Sequence, residues 1–141
     1  MTIPQWALLG FAVWTLLVLF GTVGVYRWSR ILTGQTRISE WQADLPQGSD
    51  WYQRAMRAHM NCVENLPVFT AIVVCATATG ADSRLLDLQA GAILVAHICQ
   101  TTVHLAFAPS DVAASVHFAF FFVQAICMLA MAALVAVAAA G

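Results

Sequence analysis

Arg54-Ala55-Met56-Arg57-Ala58-His59-Met60-Asn61-Cys62-Val63-Glu64-Asn65-Leu66-Pro67 leads directly into the apolar run from Val68 to Thr79. At 100° per residue, Arg54, Arg57, Asn61, Glu64 and Asn65 fall within an arc about 100° wide. Two guanidinium groups, two amides and a carboxylate therefore share one face of a helix that continues as a greasy segment. A charge in or near a bilayer costs roughly 2.5–3.5 kcal/mol on insertion scales, so these groups need partners. Two partnerships fit: an internal Arg–Glu ion pair that closes a helix bundle, or a site for a small zwitterionic or anionic ligand. His59 projects from the other side of the helix and stays outside that face.

The residues around this ladder have the character of a membrane protein. Of the 141 residues, 61% are hydrophobic and 9% charged, and none is lysine. So few charges would not keep a soluble domain of this size dispersed. The formal net charge of -1 offers no surface for nucleic acid. Cys62, Cys75, Cys99 and Cys127 stand singly in apolar stretches, with no CxxC and no Cys/His metal spacing. They read as small packing residues, and no metal site is expected.

Stretches free of Asp, Glu, Lys and Arg mark the spans, each near or above the roughly 20 residues that a bilayer requires. The first reaches Tyr26, the third lies between Asp87 and Asp111, and the fourth follows Asp111. The second begins with the ladder and continues to Ala81. The pattern predicts one all-α domain over residues 1–141, an integral membrane four-helix bundle with helices at about 3–32, 50–79, 83–107 and 111–139. Short hinges fall at Gly80–Ser83 and Ala108–Asp111, and a longer polar linker runs from Leu32 to Asp50 with Gly34, Pro46 and Gly48. The first span lacks a basic start and a small-residue cleavage site, so it reads as a resident helix rather than a signal peptide.

Arginine placement sets the expected orientation. Arg27, Arg30, Arg37, Arg54 and Arg57 flank the first connection, whereas Arg84 stands alone in the second. The positive-inside rule puts the first connection in the cytoplasm and both termini on the other side of this multi-pass protein. In the fourth span Ala132, Ala136 and Ala140 recur every fourth residue, a small-residue surface that lets helices approach closely in lipid.

The histidines admit several roles. His97 and His104 share a face with Gln100, and His117 opens the fourth helix. Interhelical hydrogen bonding, a place in a ligand pocket, and haem or metal ligation are the alternatives. Seven residues apart, His97 and His104 are separated by about 10.5 Å along a helix, too far to chelate one ion together. The interhelical pair His104 and His117 stays open.

The segment Arg57-Ala58-His59-Met60-Asn61-Cys62-Val63-Glu64-Asn65-Leu66-Pro67 resembles the signature Arg-Ala-x-x-Asn-x-x-Glu, followed shortly by Pro, of the MAPEG family, the membrane-associated proteins of eicosanoid and glutathione metabolism. Thr33-Gly34-Gln35-Thr36-Arg37, at the end of the first span, resembles a second patch found in that family. The resemblance covers essentially the whole chain. It implies a homotrimer of four-helix subunits in membrane lipid, with glutathione as bound co-substrate between neighbouring subunits near the cytoplasmic face.

Carried over residue by residue, Arg37, Arg57, Asn61 and Glu64 match positions that hold glutathione, with Arg54 and Asn65 beside them. Arginine grips a carboxylate through paired hydrogen bonds, and Glu64 suits an ammonium group. Active relatives place an arginine near the start of the fourth helix to stabilise the thiolate. This chain reads Asp111-Val-Ala-Ala-Ser115-Val-His117 there, with Ala113 or Ala114 near the expected position. His104, Ser115 and His117 are the remaining candidates for a catalytic role. The expected function is binding of glutathione or a related thiol, with conjugation or reduction of a lipophilic electrophile. The alternatives are a non-catalytic MAPEG-fold protein that binds lipid or stabilises a membrane complex, and a small haem-binding subunit.

Overall fold

A computed structural model of the chain describes residues 1–42, 45 and 47–140. Pro46 of the polar linker lies outside them. Among the described residues four long helices form one bundle, and there is no strand. Helix α1 spans Ile3–Leu32, α2 Asp50–Thr79, α3 Arg84–Ala106 and α4 Asp111–Ala140.

Local chemistry sets the helix ends. Thr2 and Gln5 form a capping box at the start of α1, where Pro4 occupies the first turn and needs no N–H partner. Ser49, Ser83 and Ser110 each accept from a backbone N–H three residues on, opening α2, α3 and α4. Gly80 closes α2 at φ 67°, a left-handed conformation that costs glycine nothing, and the Ala81 N–H reaches back to the Ala76 carbonyl. Helix α2 runs through Pro67 and keeps its ladder and its apolar half in one element. Within α1, Leu19–Gly24 is π-helical, a local widening by one residue.

Helices α1, α2 and α4 are long and apolar enough to cross a membrane. Helix α3 is not in that group, because it spends inward positions on His97, Gln100 and Thr101, which are buried. This departs from the expectation of four apolar spans, since α3 draws its place from packing rather than from hydropathy. It packs most extensively against α4 and also meets α1 and α2. Phe11, Phe69, Ile93 and Met131 meet in the apolar core. Leu17 of α1 and Leu129 of α4 remain 58% and 73% exposed, as a lipid-facing surface requires. Ala132, Ala136 and Ala140 also face outward, leaving the small-residue surface of α4 uncovered in a single subunit.

Candidate functional site

A cleft of about 290 Å³ opens where the ladder end of α2 meets the corner between α3 and α4. Arg54 and Arg57 line it from α2, His104 and Phe107 from α3, and Ala113, Ala114 and His117 from α4. Helix α3 ends at Ala106, Pro109 lies in the turn and Ser110 caps α4, and this corner holds the two histidines together. Their ring centroids are 4.1 Å apart at 60°. Two buried polar atoms of this lining, Arg54 Nε and His117 Nδ1, have no hydrogen-bond partner. Buried polar atoms are costly when unpaired, so a cleft carrying the Arg54 Nε donor and a free histidine nitrogen fits a polar ligand.

Beneath the cleft lies a buried polar layer. The His97 ring stacks on Phe11 at 3.9 Å, with Nδ1 3.0 Å from Gln124 Oε1 and Nε2 3.2 Å from Cys62 Sγ. Gln124 Nε2 donates to Gln100 Oε1 and, at 3.2 Å, to the Phe120 carbonyl. Gln100 Nε2 lies 3.4 Å from His117 Nε2, which brings the chain up to the cleft. Thr101 donates to the His97 carbonyl at 2.8 Å. In lipid such groups must satisfy one another, and here α2, α3 and α4 do so jointly, with Phe11 of α1 stacked on the His97 ring.

The remaining candidates are spread around this centre. Arg57 and Glu64 are exposed, while Arg54, Asn61 and Asn65 are half-buried. The one side-chain hydrogen bond inside the ladder among the described residues is Asn65 Nδ2 donating to the Asn61 carbonyl at 2.8 Å. No Arg–Glu pair closes the ladder within the subunit among those residues. Asn61, Glu64 and Asn65 lie further along α2 than the cleft lining. Arg37 is exposed in the first connection, where its backbone N–H donates to Glu40 Oε2 at 3.2 Å. Ser115 is exposed and donates to the Asp111 carbonyl, so it does not enter the cleft. His59 is half-buried, away from the ladder face.

Two groups escaped the reading of the sequence. Gln124 is one. It is a lone amide in the apolar stretch from Phe118 to Leu134, and that isolation is itself a signal of a buried polar contact. The other is an aromatic cluster at the end of α1. Arg27 donates from Nε to the Tyr52 hydroxyl and lies 5.3 Å from the Trp41 ring centre, while Tyr26 stacks on Tyr52 at 4.5 Å. It fastens the first connection to the bundle. Among the described residues no three His, Cys, Asp or Glu side chains are grouped as a metal site requires.

A second hollow adjoins the cleft. It has a volume of about 470 Å³ and shares Val103, Phe107, Pro109 and Ala113 with it, adding the apolar Val112 and Val116. A mostly apolar cleft that carries two arginines and two histidines thus meets a second apolar hollow at the same helix corner. The sequence matches the model of the MAPEG family over residues 4–137. No curated protein and no solved structure matches the chain.

Proposed function

The chain belongs to the MAPEG family of integral membrane proteins, and on that premise we propose that it binds glutathione or a closely related thiol and passes it, slowly, to a lipophilic electrophile. The observation that carries the reading is the cleft in which Arg54 and Arg57 of α2 face His104 and His117 of α4's corner with α3. Glutathione offers two carboxylates, an ammonium and peptide carbonyls. Arg57 and Arg54 suit the carboxylates, and the unpartnered His117 Nδ1 and Arg54 Nε suit further acceptors. The adjoining apolar hollow suits the second substrate.

The ladder beyond the cleft supports a shared site. Arg57 and Glu64 are exposed on a single subunit, which is an expensive arrangement in lipid. A homotrimer covers them, with Arg37, Asn61, Glu64 and Asn65 completing the thiol site against a neighbour. The arginine cluster around the first connection orients that site toward the cytoplasm. Conjugation joins the thiol sulfur to an electrophilic carbon while the thiol proton and the leaving group depart. A free thiol titrates near ~8.5, so the step runs faster where a cation holds the thiolate. Ala113 and Ala114 line the cleft where relatives carry arginine, which supports slow turnover.

The test is glutathione binding to detergent-solubilised protein by calorimetry, paired with turnover of a chlorodinitrobenzene-type electrophile. Saturable binding with slow turnover is the expected result. Absence of binding would overturn the thiol reading and leave a lipid-binding role. A native, stable monomer in mild detergent would overturn the shared site.

A further inference from the structure

We infer that Gln124 and Gln100 are positioning residues that hold His117 as the neutral Nδ1–H tautomer, aiming a hydrogen-bond donor at a ligand acceptor in the cleft. The inference rests on the thiol-binding reading only for what the acceptor is. It follows from which group can donate at each step of the buried chain.

The direction is set by a backbone carbonyl. The Phe120 carbonyl can only accept, so the end of the Gln124 amide 3.2 Å from it must be the NH2 group. The other end is therefore the oxygen, and it lies 3.0 Å from His97 Nδ1. That oxygen can only accept, so His97 carries its proton on Nδ1. Its Nε2 is then unprotonated and faces Cys62 Sγ at 3.2 Å, a thiol that shares its one proton between this nitrogen and the Ala58 carbonyl at 3.3 Å. In the other direction, the Gln124 NH2 requires an acceptor from Gln100, which must offer Oε1. The Gln100 NH2 is left facing His117 Nε2 at 3.4 Å. Two donors cannot share that contact, so His117 Nε2 is unprotonated and its proton sits on Nδ1.

From His97 onward every donor points the same way, through Gln124 and Gln100 to His117. The terminal Nδ1 is buried without a protein partner, in the lining that also holds the unpartnered Arg54 Nε. His104, Arg54 and Arg57 are the titratable and charged side chains that share the cleft with it. Gln100 and Gln124 are each 1% exposed, so water does not compete for these bonds. A histidine in water favours the opposite tautomer, and among the described residues Gln100 is the one hydrogen-bond partner of the His117 ring.

The experiment reads the tautomer directly. Nitrogen NMR on the full-length protein in lipid nanodiscs, with 15N-labelled histidine, separates pyrrole-like from pyridine-like ring nitrogens. The parent should show His97 and His117 both with pyrrole-like Nδ1. Gln124→Met does not touch His117, yet it should lose this state and return His117 to a mixture dominated by Nε2–H. Gln100→Met should do the same while leaving His97 unchanged. A parent His117 protonated on Nε2 overturns the inference without any variant. A Gln124→Met protein that retains the Nδ1–H form of His117 overturns it too. No ligand is present, so failure of glutathione binding would not imitate either result.

Discussion

Cys62 Sγ and His97 Nε2 lie 3.2 Å apart, joining α2 to α3 at a point where neither residue is reached by solvent. The contact anchors the polar layer at its inner end, and its neighbours define what its loss would do. His97→Ala removes the stacking on Phe11 and leaves Gln124 Oε1 without its partner, while the Cys62 thiol keeps the Ala58 carbonyl at 3.3 Å. A loss of about 3 kcal/mol is expected, summing the unsatisfied polar group and the cavity. Reversible unfolding in mixed detergent micelles measures it, and a loss below about 1 kcal/mol would show that the layer relaxes around the gap.

The same burial predicts thiol reactivity. Cys75 is exposed on the outer surface of α2, whereas Cys62 is buried. A small membrane-permeant maleimide should modify Cys75 in the folded protein and reach Cys62 only after denaturation. Mass mapping after timed labelling distinguishes the two, and equal rates would mean that the core opens readily.

Arg57 should discriminate between charge and geometry. Arg57→Ala is expected to weaken glutathione binding by roughly tenfold, about 1.4 kcal/mol. Arg57→Lys should lose less, because it retains the charge but not the paired donors. Calorimetry on both variants is the check. Unchanged affinity in both would remove Arg57 from the site.

Ala113 lines the cleft beside His117. Introducing a cation there, as Ala113→Arg, should raise turnover with little change in glutathione affinity. The gain expected from one preorganised stabilising group is roughly 100-fold or more. Rates at saturating thiol, read beside a binding isotherm, separate the two effects. A variant that binds tighter without turning over faster would contradict the argument.

Gly48 stands at φ 76°, and a Cβ there would meet Tyr52 Cδ1 at 2.8 Å and Tyr26 Cε1 at 3.1 Å. Gly48→Ala therefore combines a disfavoured backbone with a clash against the stacked pair. A cost of about 1–2 kcal/mol is expected. Thermal unfolding followed by tryptophan emission would record it through Trp41, and an unchanged midpoint would mean that the connection tolerates displacement.

Charge-free stretches near bilayer length made the four helices legible, because a span in lipid excludes charges over roughly 20 residues. Capping serines and Gly80 marked their ends for chemical reasons that stand in the sequence. The ladder was equally plain, since Arg54 and Arg57 share an arc whatever the tertiary structure. Which of its members reach a common cavity was not. That depends on the α3–α4 corner at Pro109, which brings His104 and His117 toward the arginines and leaves Ser115 outside. The partnership of Gln124 with His97 crosses 27 positions, and no local pattern encodes it. The polar residues of α3 did not hide it as a helix, but their partners on α2 and α4 were out of reach of the sequence.

The π-helical turn at Leu19–Gly24 gives α1 two reading frames for one interior. Phe11, Thr15 and Val18 are buried at steps of four and three, but the next buried residue is Val23 instead of Thr22. Everything after it is shifted by one place, and in that shifted frame Arg27 meets Tyr52 and Trp41. Deleting one residue within the turn would restore a single frame and swing Tyr26 and Arg27 by about 100°. The emission of Trp41 would register their departure. A change of length within α1 would thus act as a rotation on the first connection, without altering any residue that touches it.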